Sequence, residues 1–523
     1  MSAEKITYAT LTASDAIHAP FEKALKDNEL NYGKHYPMYI GDREVMADDE
    51  FATKSPIDSN ITLGYFQKGT ADHMKDAINM AHEAFPSWEA RDWRERVKII
   101  AKVADVLADN IYSLAATACV EVGKIRSECI AEVSEAIEAI NYNIAQIEKN
   151  EGFTHKMAPG APGENTQSTL RPYGAWVVIS PFNFPLMLAS GMTQTALMTG
   201  NTVVIKPTSE APLATLGFYH ALREAGVPPG VINFVTGPGS SMEAAISANP
   251  EVAGIGFTGS KEIGVQLRNA FLTKQPFSKP ILCEMGSKNP TIVSEKADLS
   301  KAVEGITRAS FGYTGQKCSA TSRIYVKESI MSQLVEKLQE RASKVVTGDP
   351  RNKDVFMGPV INSSAVQTYN DVVDEIKRDG GDFVIGPQSI SSDLSGGNFV
   401  TPIIAKGLPH SHRLFRDELF LPIVLIDTYQ TLDEAITKAN DTEFGLTAGI
   451  FSEDNSEIKE FFRRIQVGVA YANRKGGSTT GAWPGAQPFG GWKASTVTGK
   501  GLGGHYYMPQ FVHEQAQTTV IEE

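Results

Sequence analysis

Cysteine is scarce in this 523-residue sequence: Cys119, Cys129, Cys283 and Cys318 are the only four, and no C-x-x-C pair occurs. Such spacing fits neither a zinc site nor a disulfide framework, so unbridged thiols in a reducing compartment and no metal centre are expected. Net positive charge is lacking too, with 49 Lys and Arg against 61 Asp and Glu, a formal charge of −12. A surface of that sign repels phosphate backbones and disfavours nucleic-acid partners, although one local basic pocket for a small anion stays compatible with it. Long apolar runs are missing as well. The most apolar stretch, 174–200, is broken by Pro181, Asn183 and Pro185, and nothing apolar follows the opening Met-Ser-Ala-Glu-Lys. Neither a membrane span nor a signal peptide is predicted, and a cytoplasmic protein without a membrane partner is the expectation. What is present, 42% hydrophobic and 21% charged residues, is the balance of a folded globular chain. Its length is several times the ~150 residues of one typical domain, so more than one core is needed.

Residues 71–150 read mainly as helix. Val97, Ile100, Ala101, Ala104 and Leu107 recur at the spacing that puts an apolar stripe on one face, and a second helical run covers 125–147. The Gly- and Pro-rich segment 151–169 reads as a loop or exposed hairpin. From Gly174 the pattern changes to short apolar strands alternating with helices. Strands are predicted at 176–179, 202–205, 231–235 and 254–257, with a helix over 213–225. The alternation resumes after Met285, with strands at 291–293, 322–326, 423–426 and 447–451 and helices over 300–310, 328–346 and 432–440. This is an α/β pattern of two doubly wound lobes with a cleft between them. The stretch 505–520 reads as an extended arm suited to pairing with another subunit.

Five segments carry residues able to do chemistry. Cys318, in Gly315-Gln316-Lys317-Cys318-Ser319, sits beside a lysine and a flexible glycine, a setting expected to lower its pKa toward a thiolate. Glu284 lies 34 positions earlier, after the apolar pair Ile281-Leu282, where a carboxylate can activate water. In Pro181-Phe182-Asn183-Phe184-Pro185 the prolines fix a loop, and the Asn183 amide is a neutral donor for a developing oxyanion. Phe257-Thr258-Gly259-Ser260-Lys261 is a strand–turn–helix joint whose backbone N–H groups suit a pyrophosphate. Lys206-Pro207 places a cation after another strand. Taken singly, each also reads as a structural residue: a buried thiol, a solvated acid, a rigid turn.

In order, Pro-Phe-Asn-Phe-Pro, Val-Val-Ile-Lys-Pro, Phe-Thr-Gly-Ser, Glu-Met-Gly-Ser-Lys-Asn-Pro, Gly-Gln-Lys-Cys, Glu-Leu-Phe-Leu-Pro and Pro-Phe-Gly-Gly resemble the aldehyde dehydrogenase superfamily from about residue 60 onward. The resemblance implies two doubly wound α/β lobes with a small β arm for oligomerisation. It divides the chain into a dinucleotide-binding domain (1–150 and 170–283), a catalytic domain (284–475) and an arm (151–169 and 490–523). It makes Cys318 the nucleophile that forms a thiohemiacetal and then a thioester, Asn183 the oxyanion donor and Glu284 the base for hydrolysis. Ile179, Ser180, Phe182, Lys206, Ser209, Gly239, Ser260, Glu418 and Phe420 would hold the cofactor. Phe182, Ser287 and Leu421 depart from a usual Trp, Gly and Gly. Ser209 stands where NAD-preferring members often have glutamate; serine neither pairs with a ribose 2′-hydroxyl nor repels a 2′-phosphate, so NAD is expected with NADP tolerated. A homodimer or larger homo-oligomer is implied as well.

Ser319 directly after the cysteine, Thr480-Gly481-Ala482 with Gln487-Pro488-Phe489, and Glu132–Ile137 with Tyr142 resemble the branch that oxidises L-glutamate γ-semialdehyde. A carboxylated substrate needs donors at the far end of its tunnel, and Ser319 with the N–H groups of Gly481 and Ala482 would supply them. Phe184 and Phe489 would flank the aliphatic part. Succinate or 2-oxoglutarate semialdehyde is the alternative. The glutamate at 284 favours hydrolysis over transfer of the acyl group to CoA. Retention of cysteine, asparagine and glutamate together argues against a non-catalytic relative.

Overall fold

The computed structural model describes residues 15–475 and 482–520. Strands that are apolar on both sides need cover on both faces, and the two main sheets are built from them. In the first, the order is Ile281–Glu284, Val252–Thr258, Ala175–Ser180, Thr202–Pro207, Ile232–Phe234, Met38–Ile40, Arg43–Val45. Its first five strands run parallel, and the last two add antiparallel. All six residues of Thr202–Pro207 are buried. The second sheet runs Asp382–Ile385, Ile403–Lys406, Ile423–Tyr429, Thr321–Lys327, Asn289–Val293, Thr447–Phe451, Val469–Ala472, parallel except at its first pair. The expected pair of doubly wound α/β layers is therefore present.

The helical amino-terminal region consists of Ala71–Glu89, Trp93–Asp109, Ile111–Val122 and Arg126–Lys149. Asp92 starts the second of these by accepting the Arg94 N–H at 2.8 Å, and Val97, Ile100, Ala104 and Leu107 of the expected stripe are buried. The helix Met187–Met198 gave no amphipathic signal because it is buried nearly all round. Its first turn is closed from a distance: the buried Glu132 accepts the N–H groups of Leu186 and Met187 at 3.0 and 3.2 Å and pairs with Lys124.

Residues 151–169 hold the hairpin alternative of the two expected forms. Thr154–Met157 pairs with Glu164–Pro172, which pairs in turn with Val512–Val520 in a three-stranded antiparallel sheet. The helix expected over 328–346 is shorter, a 3-10 turn Glu328–Ile330 followed by Met331–Ala342. No single helix among the described residues is long and apolar enough to cross a membrane.

Candidate active site

In parallel α/β sheets, ligands collect at the carboxyl ends of the strands. Here Ser180, Pro207, Thr258 and Glu284 are the last residues of four neighbouring strands, with Thr258 opposite Glu284 and Ser180 opposite Pro207. A groove of about 490 Å³ opens at this edge. It is lined by all nine residues expected to hold the cofactor (Ile179, Ser180, Phe182, Lys206, Ser209, Gly239, Ser260, Glu418 and Phe420), and by Asn183 and Cys318. Ser260 caps the helix Lys261–Lys274, accepting the Ile263 N–H at 3.4 Å, so that helix start faces the groove. Phe182 and Phe420 meet edge to face at 5.8 Å, with Phe420 in the left-handed region at φ 57°.

The loop before the nucleophile is strained and pinned. Tyr313 and Thr314 sit at φ 48° and 56°, unusual for side chains of that size. Hydrogen bonds hold the turn there: Tyr313 Oη to the Val122 carbonyl at 2.9 Å, Thr314 Oγ1 to Gly358 O at 2.8 Å, and Gln316 Nε2 to Pro359 O at 3.2 Å. After the turn, the Cys318 carbonyl accepts from Ser287 Oγ and from Asn289 Nδ2, the latter at 2.7 Å.

The electrostatics correct one expectation. Lys317 does not acidify Cys318, because its ammonium turns to a buried ion pair with Glu128. Burial, and then the carboxylates of Glu418 and Glu284, push the Cys318 thiol up to about 12. Burial also raises Glu284 to about 8, against a lowering hydrogen bond from Thr496. Glu418 rises to about 7 by burial, with the Ser287 N–H opposing at 2.7 Å. Lys206 falls to about 8 by burial. The groove thus gathers the Cys318 thiol and the Asn183 amide, while Glu284, at the end of the edge strand, is not among its lining residues.

Phe184, Ser319, Ala482 and Phe489 do not line this groove. Ser319 is buried beside the nucleophile, Phe184 packs 3.8 Å from Lys124 Nζ, and Phe489 bridges to Leu502. Gly481 lies outside the described residues. Several participants were not anticipated. Glu210 lines the groove and is held by Asn362 Nδ2 at 3.0 Å. Thr496 reaches Glu284 from a segment that also ties Met285 N to Ser495 O at 2.8 Å. Their proximity depends on chain crossings hundreds of residues apart, and only the position of Glu210, one after Ser209, was visible beforehand.

A dinucleotide fits these residues. The helix start at Ser260 offers N–H donors for a pyrophosphate, and Ser180 Oγ, at the groove, is buried without a hydrogen-bond partner in the protein. Fold and site together define a two-lobed α/β enzyme with a cysteine at a dinucleotide-type groove. The sequence profile of the Aldehyde dehydrogenase family matches residues 45–516, and the chain belongs to that family. It is 35% identical over 508 residues to 1-pyrroline-5-carboxylate dehydrogenase 1 of Halalkalibacterium halodurans, covering 96% of both chains. Among solved structures it is similar to 1-pyrroline-5-carboxylate dehydrogenase from Thermus with bound NAD, at 30% identity and a TM-score of 0.93 over the whole of both chains. It also resembles proline utilization A from Bdellovibrio bacteriovorus at 31% identity and a TM-score of 0.93, with 98% of this chain spanning 52% of that longer one.

Proposed function

We propose that the protein oxidises L-glutamate γ-semialdehyde, the open form of 1-pyrroline-5-carboxylate, to L-glutamate with NAD, in proline catabolism. The observation that carries this reading is the meeting of Cys318 and Asn183 with all nine expected cofactor residues in one groove. The names of the relatives support the choice of substrate, and the Thermus structure supports the choice of cofactor.

When bound, the nicotinamide supplies the hydride acceptor. Cys318 Sγ adds to the aldehyde carbonyl. The thiolate is the attacking form, so the thiol gives up its proton before addition. Asn183 and the Cys318 backbone N–H hold the oxyanion. Once hydride has left, the acyl group rests on Cys318 as a thioester. Glu284 then takes a proton from water, and hydrolysis frees the carboxylate and restores the thiol. Glu418 and Phe420 orient the nicotinamide ribose and ring, while Lys206 and Ser260 hold the adenosine ribose and pyrophosphate.

Ser319, Gly481 and Ala482 take the substrate carboxylate, and Phe184 and Phe489 flank the aliphatic part. Ser209 leaves room for a 2′-phosphate, so NADP is tolerated. The chain divides into a dinucleotide-binding domain (1–150 and 170–283), a catalytic domain (284–475) and an oligomerisation arm (151–169 and 490–523), a reading supported by its two large sheets. The three-stranded sheet, with its mostly exposed strands Thr154–Met157 and Val512–Val520, serves a homodimer or larger assembly.

A panel of ω-semialdehydes with both cofactors, followed by the absorbance of reduced nicotinamide, tests the reading. Glutamate γ-semialdehyde with NAD is expected to give the highest kcat/KM. A higher value for succinate or 2-oxoglutarate semialdehyde, which lack its amino group, replaces the substrate while leaving the chemistry.

A further inference from the structure

Ser287 bonds in two directions, through its side chain and its backbone. Its N–H donates to Glu418 Oε1 at 2.7 Å. Its hydroxyl donates to the carbonyl oxygen of Cys318 and accepts from Asn289 Nδ2 at 2.8 Å. Asn289 also donates to the Cys318 and Ala320 carbonyls, at 2.7 and 2.9 Å, and its own Oδ1 accepts the Thr447 N–H at 3.0 Å. Asn289 thus anchors the nucleophile loop to the second sheet, and Ser287 carries that anchor on to Glu418.

The neighbourhood leaves little slack. Ser287 is 5% exposed. A Cβ on Gly286 would come within 2.3 Å of Glu418 Oε2. A pocket of about 20 Å³, room for one water, lies where Ser287, Lys317, Glu418 and Phe420 meet. A glycine at 287 would keep the backbone bond to Glu418 and lose the bond to the Cys318 carbonyl.

We propose that Ser287 is a positioning residue whose hydroxyl holds the Cys318 loop in register with the Glu418 carboxylate, and so sets the distance between the nucleophile and a bound nicotinamide ribose. The proposal rests on the aldehyde-oxidation reading above. Losing the hydroxyl lets the sulfur wander and slows the acylation and hydride steps. Cofactor affinity stays, because the Ser287 N–H that fixes Glu418 is retained.

The test is rapid-mixing kinetics of Ser287→Ala, with Ser287→Thr as the variant that keeps the hydroxyl. Ser287→Ala is expected to lower the rate constant of the reduced-nicotinamide burst roughly threefold to tenfold, the worth of one neutral hydrogen bond. KM for NAD and the melting temperature should stay at wild-type values, and Ser287→Thr should recover the burst. Because both variants put new bulk or a new gap in a tight site, the alkylation rate of Cys318 by iodoacetamide in the cofactor-free protein is measured alongside; a change in the Ala variant with recovery in the Thr variant supports the same conclusion. A wild-type burst in Ser287→Ala overturns the inference and leaves the aldehyde-oxidation reading standing. So does a slowed burst accompanied by a lowered melting temperature and a raised KM for NAD. Wild-type protein that reduces no nicotinamide with any aldehyde overturns both.

Discussion

Thr496 Oγ1 donates a 3.1 Å hydrogen bond to Glu284 Oε1, while Glu284 Oε2 is buried without a hydrogen-bond partner. Burial raises the Glu284 carboxyl to about 8, and the threonine bond holds it below where burial alone would leave it. Thr496 is therefore the adjusting contact on the proposed hydrolytic base, delivered by a segment 212 positions further along the chain.

The pH dependence follows with a definite sign. A base must be ionised to act, and the ionised fraction of Glu284 grows as pH rises through about 8. The deacylation rate should climb across that range. Thr496→Val removes a contact that lowers the pKa, so the acid limb of the kcat profile should move to higher pH. A limb that stays in place separates that limb from Glu284.

Cys318 should be a sluggish nucleophile toward iodoacetamide at pH 7 in the cofactor-free protein, because burial and two carboxylates hold it up at about 12. Glu418→Gln removes one of those negative charges and should speed alkylation, read by mass spectrometry of the Cys318 peptide. Cys119, Cys129 and Cys283 are buried and serve as internal controls. Equal or slower alkylation in the variant contradicts the assigned cause.

Ser209 lines the groove, with its hydroxyl 3.5 Å from the Gly237 carbonyl. A carboxylate there would face the 2′-phosphate of NADP. Ser209→Glu should reduce kcat/KM for NADP by roughly tenfold to hundredfold, the scale of a like-charge contact, with NAD little affected. Strict rejection of NADP by the unaltered protein would count against the role given to serine.

Ser319→Ala should raise KM for glutamate γ-semialdehyde by roughly tenfold to hundredfold, since a charge-assisted hydrogen bond to the carboxylate is worth about 1.5–3 kcal/mol. An uncharged aldehyde of similar length should be nearly unaffected. Equal losses on both substrates would make Ser319 a packing residue beside the nucleophile.

Where apolar pattern and burial coincide, the chain was legible from its residues. The helix Leu432–Asn440 and the strand Thr447–Phe451 fall on the expected bounds, since each presents a clear period or an unbroken buried run. The helix Met187–Met198 was not visible, because burial on every side erases the one-faced stripe. The short amino-terminal strands Lys34–Tyr36, Met38–Ile40 and Arg43–Val45, of three residues each, are too brief to show alternation. At the site, motif order located the groove-lining residues. The protonation of Cys318 was misread because nearness in sequence suggested Lys317, whose real partner, Glu128, lies 189 positions away. Thr496, Asn289 and Ser287 act through hydrogen bonds to residues 212, 29 and 31 positions away, which no local pattern reveals.

The proposed catalysis passes through a covalent acyl group on Cys318 that Glu284 helps water to remove. The decisive measurement is the intact and peptide mass of Glu284→Gln protein after mixing with NAD and glutamate γ-semialdehyde. One equivalent of reduced nicotinamide should form quickly, with the glutamyl acyl mass retained on the Cys318 peptide. Steady turnover at the wild-type rate with Cys318 unmodified would contradict it.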